Sequence, residues 1–308
     1  MRDTTTYGTL LQGEAALMDR QYESFLAQPI DQEWIPEIPE ADRYQTTLAS
    51  PVSVTGPGTF FGRAQRTLHL QPTQNEGWWF DRTDLPDAMP IRVAASNVWT
   101  TQRNIVLCSG SPHNYMRMVE HIVALRLALN LDNLMIRMDS GDPPLFDRGS
   151  MDLVEAIEKA GVKKTALPVR YVTVREPVAM LAPNGSFLVF KPCTSPVPAL
   201  NLDVAVNFKT AIGQQRIRIR LNPETGRYGA LARTNCSATQ MLYTRTLGKL
   251  FADVRNLGYT NRNILVAALA LIDSGRFVGD ICSYKAGHTL DVVMVRNLFE
   301  RDLLCPLH

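Results

Sequence analysis

MRMVEHIVALRLALNLDNLMIRMDSGDPPLFDRGS, residues 116–150, decides the fold, because a helix, a strand and a second helix can be read from it in succession. Val119, Ile122, Val123, Leu125, Leu127 and Leu129 mix helical with near-continuous apolar spacing, which predicts a largely buried helix over 116–129. Asn130 and Asp132 mark the turn that ends it. LMIRM, residues 134–138, then reads as a strand. Beyond the prolines, SMDLVEAIEKAGV opens on Ser150, a helix-capping residue type, and reaches Gly161, so a second helix is expected there. Glu120 and His121 stand side by side at the head of the first helix. They read either as an active-site pair or as the polar edge of a core helix.

Working outward, SVTGPGTFFG (53–62), RTLHLQP (66–72), GWWFDRTD (77–84) and MPIRVAAS (89–96) have the short alternating runs and turn residues of an antiparallel sheet. A comparable order begins again near residue 165. Strands are expected in RYVTVREPVAMLAP (170–183), SFLVFKP (186–192), LDVAVNF (202–208) and QRIRIRLNP (215–223), followed by helices around 237–256 and 262–274. A strand, FVGDICSY, and a helix, LDVVMVRNLFE, close the chain. Each half is thus a mainly antiparallel sheet with two helices, an α+β arrangement. The expected divisions are an N-terminal extension over 1–48, one domain over 49–165 and a second over 166–308. In the extension, acids and prolines interrupt QPIDQEWIPEIPEADRYQ, which reads as a short helix followed by an extended arm, or equally as a disordered tail.

The 308 residues include 32 basic and 30 acidic side chains, and no long run of Lys or Arg makes a nucleic-acid footprint. The first residues are too polar for a secretory signal, and no apolar window is long enough for a transmembrane segment, so a cytoplasmic protein is expected. The five cysteines are odd in number and scattered, which suits reduced, structural thiols.

Several of these segments together resemble the zinc-dependent UDP-3-O-acyl-N-acetylglucosamine deacetylase family of lipid A biosynthesis. The resemblance runs from about Ala49 to Phe299. It is carried by SVTGPGTFFG and LHLQP, FDRTDLP, the VEH of Val119–His121 with LNLDNLMIRM behind it, PPLFDRGS, ART at Ala232–Thr234 and YKAGHTL at Tyr284–Leu290. The resemblance implies two similar α+β domains packed face to face, with the active site between them. It also implies roles: Glu120 as the base that activates a metal-bound water, His121 as a zinc ligand, Thr234 as a donor to the oxyanion, and His288 as the cationic partner that stabilises charge or protonates the leaving amine. Amide hydrolysis needs such groups, namely an activated water, a base beside it and positive charge at the tetrahedral oxygen.

Two departures stand against this pattern. The family's other two zinc ligands lie four residues apart on one helix, in a HKILD-like run, and the matching run here is RNILV, residues 262–266. Arg262 and Val266 therefore occupy ligand positions, and neither offers a lone pair to a cation. The site implies no bound zinc cofactor unless it has been rebuilt. Arg262, if turned into the cleft, would pair with Glu120. The second departure is one of length. Only Asn235–Asn261 separates Thr234 from Arg262, too short for the inserted element that forms the family's acyl passage. Arg148 also interrupts PPLFDRGS, which otherwise reads as a turn and helix cap.

Three readings follow: a binding or regulatory pseudoenzyme with a nucleotide-sugar or acylated amino-sugar ligand; an active amidohydrolase with a rebuilt site and a different acylated amino-sugar substrate; and an interaction protein using residues 1–48 as an arm for a protein partner.

Overall fold

The computed structural model describes residues 7–38, 40–58, 64–101, 104–208, 213–232 and 242, and the backbone at 234–237, 264–267 and 304–306. The chain begins with β1 (Thr9–Gln12), α1 (Ala15–Ala27), β2 (Gln32–Trp34) and β3 (Tyr44–Leu48). Next come β4 (Val52–Pro57), β5 (Gln65–Gln71), β6 (Trp78–Arg82) and β7 (Ile91–Arg92), then a small antiparallel sheet of β8 (Val98–Thr100), β9 (Val106–Cys108) and β10 (Tyr115–Arg117). The opening stretch supplies α2 (Glu120–Val123), α3 (Leu125–Ala128), β11 (Leu134–Met138) and α4 (Met151–Ala160).

The central sheet of this half has the order β4-β5-β11-β6-β7, with β11 parallel to β6 and the other neighbours antiparallel. Alternation along each strand buries Leu68 and Leu70, Trp78 and Phe80, and Leu134, Ile136 and Met138. These pack in one core with Ile122, Val123 and Leu125 from the α2–α3 segment and with Leu153, Val154 and Ile157 from α4. Each fully buried large side chain contributes roughly 1.5–3 kcal/mol. Trp78 is wholly enclosed, and its indole N–H donates to the Leu131 carbonyl at 2.7 Å, so its burial leaves no polar atom unpaired.

The first helix starts later than its apolar spacing predicts. Residues 115–117 pair with β9 as a strand, Met118 takes a left-handed turn at φ 52°, and helix begins only at Glu120, with a break at Ala124. Hydrophobic spacing alone does not register a sheet partner that claims the first turn.

In the second half, β12 (Val162–Pro168) pairs with β3. After β13 (Val172–Val174) come an antiparallel pair of β14 (Val178–Leu181) with β15 (Phe187–Phe190) and another of β16 (Asn201–Asn207) with β17 (Gln214–Arg220). α5 (Pro223–Gly229) follows, then β18 (Thr234–Ser237), β19 (Ile264–Ala267) and β20 (Leu304–Pro306). The architecture is α+β, with mostly antiparallel sheets. α5 has an Asn222 capping box and a proline in its first turn, a start signal that the strand-rich pattern around it obscures. α5 packs on α3, and a side chain at Gly226 would lie 2.4 Å from the Ala128 carbonyl oxygen, so glycine permits this contact between the halves.

Two further features can be set against the sequence expectations. Residues 264–267 form a strand parallel to β18 rather than part of a helix over 262–274. ILVA is a short apolar run rich in β-branched residues, for which periodicity does not separate strand from helix. Residues 7–38 are also built into the second half: β1 adds parallel to β14, and β2 adds parallel to β17. The helix expected over 237–256 falls outside the described residues apart from Ser237 and residue 242, as do FVGDICSY and LDVVMVRNLFE. No helix among the described residues is long and apolar enough to cross a membrane.

Candidate functional site

The turn before α2 aims the acid–histidine pair. Met118 is a non-glycine residue at φ 52°, a conformation that costs on the order of 1–2 kcal/mol and persists where surrounding packing fixes it. Its side chain is buried. Glu120 is then the first residue of α2, half-buried, and its Oε2 accepts the Ile105 N–H at 3.0 Å. Ile105 leads directly into β9, so this carboxylate ties the helix start to the small sheet. His121 is also half-buried, and its carbonyl accepts the Ser150 hydroxyl at 2.6 Å.

Ser150 is therefore not the side-chain cap that its residue type leads one to expect. It occupies the position before α4, but its side chain makes no capping bond; it reaches across to His121 instead. Its own N–H donates to the Ala230 carbonyl at 2.8 Å. Beside it Gly149 sits at φ +66°, and a Cβ there would lie 2.4 Å from the Ala230 oxygen and 2.8 Å from the Ala232 oxygen. The GS dipeptide thus fastens the His121 turn to the segment that runs through Ala232 toward Thr234.

The other motif residues close around the same place. Gly56 leaves room for Phe146 and Pro144, contacts that a Cβ would make at 2.6 and 3.1 Å. Gly58 bridges Pro144, and the Leu145 N–H donates to the Pro57 carbonyl at 2.9 Å. Arg148 turns outward along α4, where it pairs with Asp152 at 3.1 Å and Glu155 at 2.7 Å. Those hydrogen bonds hold the Arg148 guanidinium above its ordinary range and the Glu155 carboxyl below its own.

Ion pairs also lie next to the prolyl loop. Asp142 is 2 % exposed and lies 3.8 Å from the Arg117 guanidinium. Arg82 donates to both oxygens of Asp84, at 2.7 and 2.6 Å, and to the Tyr115 carbonyl at 2.8 Å. The hydrogen bonds from Arg82 hold the Asp84 carboxyl below the usual range, against partial desolvation that raises it.

Of the residues singled out from sequence, Glu120 and His121 are adjacent at the helix start. Thr234 opens β18, two positions past Ala232, and Val266 lies in β19 as the register partner of Cys236. Arg262 and His288 lie outside the described residues, and so does any pairing of Arg262 with Glu120. Among the described residues no three His, Cys, Asp or Glu side chains converge as a metal site. Sequence reasoning missed the Ile105 amide, which carries no side-chain signature, and the real partners of Gly149 and Ser150, for which the GS dipeptide was the available signal.

These features define an α+β protein with an acid–histidine pair at the start of a core helix, next to a prolyl loop bridged to the Gly-Pro-Gly end of β4 and to a Gly-Ser clasp. The sequence model of UDP-3-O-acyl N-acetylglycosamine deacetylase matches residues 45–253, and the chain belongs to that family. A UDP-3-O-acyl-N-acetylglucosamine deacetylase of Bdellovibrio bacteriovorus is 31% identical over 279 residues, covering 83% of this chain and 90% of the relative. Proteins of the same name from Brucella ovis and Brucella canis are each 26% identical over 259 residues, covering 81% of this chain and 84% of theirs.

Proposed function

We propose that the chain binds an acylated UDP-amino sugar in this site without zinc catalysis, as a binding or regulatory pseudoenzyme derived from a deacetylase. The observation that carries the reading is the donor set. Of the three positions that serve the family as zinc ligands, only His121 has a lone pair to give; Arg262 brings a permanent cation and Val266 an alkyl group. These residues do not fit a three-ligand zinc site. Glu120 then acts as a fixed acceptor held by the Ile105 amide, and His121 as a neighbouring polar contact. Thr234 and His288 supply a donor and a cation toward the ligand's carbonyl. Arg262 fits a site that holds an anionic group or balances Glu120.

A second reading, an active amidohydrolase acting on a different acylated amino sugar, draws on the retention of Glu120, His121, Thr234 and His288. One backbone feature favours it: Cys236, a residue type that ligates zinc, is the register partner of Val266. The interaction-protein reading is weaker. Within its arm, residues 1–48, the strands β1 and β2 are already engaged with β14 and β17.

The test is to purify the chain, measure bound zinc, and follow acetate release from the UDP-3-O-acyl-N-acetylglucosamine substrate beside Glu120→Ala. The expected result is substoichiometric zinc, no release, and saturable binding of the sugar nucleotide. Stoichiometric zinc with Glu120-dependent turnover would overturn the pseudoenzyme reading, and loss of that zinc in Cys236→Ser would establish the rebuilt site.

A further inference from the structure

The helix that carries His121 breaks at Ala124, and the break falls on the bond that would hold the histidine. α2 closes with the Ala124 N–H on the Glu120 carbonyl at 3.2 Å, and α3 opens with the Ala128 N–H on the Ala124 carbonyl at 3.2 Å. Among the described residues the helical bond between them, from the Leu125 N–H back to the His121 carbonyl, is not made. A helical carbonyl that loses its amide needs another donor. The Ser150 hydroxyl takes the place of that amide, at 2.6 Å. A side chain inserted into the helical ladder in this way sets the local direction of the helix.

Ser150 does this from a fixed seat. It is 6 % exposed, its own N–H is given to the Ala230 carbonyl at 2.8 Å, and Gly149 lets the chain pass close to the Ala230 and Ala232 oxygens. One residue therefore holds the His121 carbonyl with its side chain and, with its backbone, the run that leads to Thr234 at the start of β18. It stands at the capping position of α4, yet its hydroxyl is spent on the His121 turn instead. We infer that Ser150 is a positioning residue of the site: its hydroxyl sets the direction of the His121 side chain relative to the second half of the chain, and ligand affinity depends on it. The dependence of affinity rests on the reading of the site as one that binds an acylated UDP-amino sugar. The direction of His121 rests on the hydrogen bonds alone.

The test compares Ser150→Ala, which removes the hydroxyl, with Ser150→Cys, which fills nearly the same volume but donates only weakly. Thermal melts of the full-length proteins under reducing conditions show which are folded, and Ser150→Cys carries the test if Ser150→Ala is not. Failure of both to fold would make Ser150 a residue of the fold only and overturn the inference. Calorimetric titration with UDP-3-O-acyl-N-acetylglucosamine should show an affinity lower by about tenfold in the folded variants. Without ligand, the His121 imidazole resonances, assigned by comparison with His121→Asn, should move in the same variants. Wild-type behaviour of Ser150→Cys in both readouts would mean that only the volume of the serine matters, and would overturn the inference. Unchanged resonances in every folded variant would overturn it as well, and displaced resonances with unchanged affinity would overturn the role in binding. If the wild-type protein itself does not bind the sugar nucleotide, the reading of the site fails, while displaced His121 resonances still establish the positioning.

Discussion

The acid–histidine turn and the attachment of the N-terminal extension are both held by short hydrogen bonds, yet they are made of different materials. Around His121 the bonds run mostly between neutral groups, Ser150 to His121 and Ala230, and Leu145 to Pro57, with glycines supplying the clearance and the Glu120 carboxylate on the Ile105 N–H as the exception. Besides its strand pairing with β14 and β17 and its apolar packing on Ala179 and Leu181, the extension is fastened by a buried ion. Arg216, 4 % exposed, donates from Nη1 to the Phe25 and Gln28 carbonyls at 3.0 and 2.9 Å, where α1 ends. It grips both oxygens of Asp203 at 2.8 Å and lies 4.1 Å over the Phe25 ring. Its backbone is clamped on both sides by Asp31. A guanidinium at the C-terminal end of a helix meets both the unpaired carbonyls and the negative pole of the helix dipole. Arg216 lies within the residues that match the family, while Phe25, Gln28 and Asp31 lie outside them. The turn at His121 thus rests mainly on clearance and neutral bonds, and the extension adds a buried charge to its pairing and packing.

The largest effect expected from this contrast is in Arg216→Met. The substitution keeps an apolar stem over Phe25 but strips Asp203 and the end of α1 of their donor, a loss on the order of 3 kcal/mol. Urea unfolding measures it. Hydrogen exchange should show faster exchange in residues 15–28 while residues 118–123 keep their protection. Equal loss at both places would mean that the two attachments are one cooperative unit, and the contrast would fail.

The contrast also marks what could be read in advance. The strands of the first half follow from alternation in RTLHLQP and GWWFDRTD, because each has one buried face. GPG, VEH and PPLFDRGS were recognisable as motifs, and they do converge. What periodicity does not carry is pairing at a distance. The Glu120 bond to a backbone amide fifteen positions earlier is invisible in side-chain types, and so is the engagement of Arg216 with α1 across 188 positions to Gln28. QRIRIRLNP shows only a strand with alternating arginines; which arginine is buried depends on what lands on it. The same limit explains β19, whose four apolar residues fit a helix until β18 lies beside them.

Gly149→Ala probes the neutral side. At φ +66° and with the Ala230 and Ala232 oxygens in the way, the added methyl should destabilise the chain by roughly 1–3 kcal/mol. Because no charge is involved, that loss should stay the same between about 0.05 and 0.5 M salt, whereas the loss in Arg216→Met should shrink as the Asp203 attraction is screened. Parallel denaturation curves at the two salt concentrations decide it; a salt-dependent Gly149→Ala loss would break the distinction.

The smallest effect comes from one charged pair close to the site, Arg82 with Asp84. Arg82 also holds the Tyr115 carbonyl and lies against Gly141, so the pair supports the loop behind the prolines. The Asp84 carboxyl is held below its ordinary range, chiefly by the hydrogen bonds from Arg82. A depressed carboxylate stabilises the fold fully above its unfolded pKa, near about 4, and its contribution disappears as pH falls through the lower folded value. Asp84→Asn should therefore lower stability by no more than about 1 kcal/mol at neutral pH, since the pair is partly solvated. The gap between wild type and variant should stay constant down to about pH 4 and close below it. Urea midpoints taken across that range measure the gap. A gap that persisted at the acid end would show that Asp84 acts through its shape rather than its charge, and the prolyl loop would then belong wholly to the neutral half of the comparison.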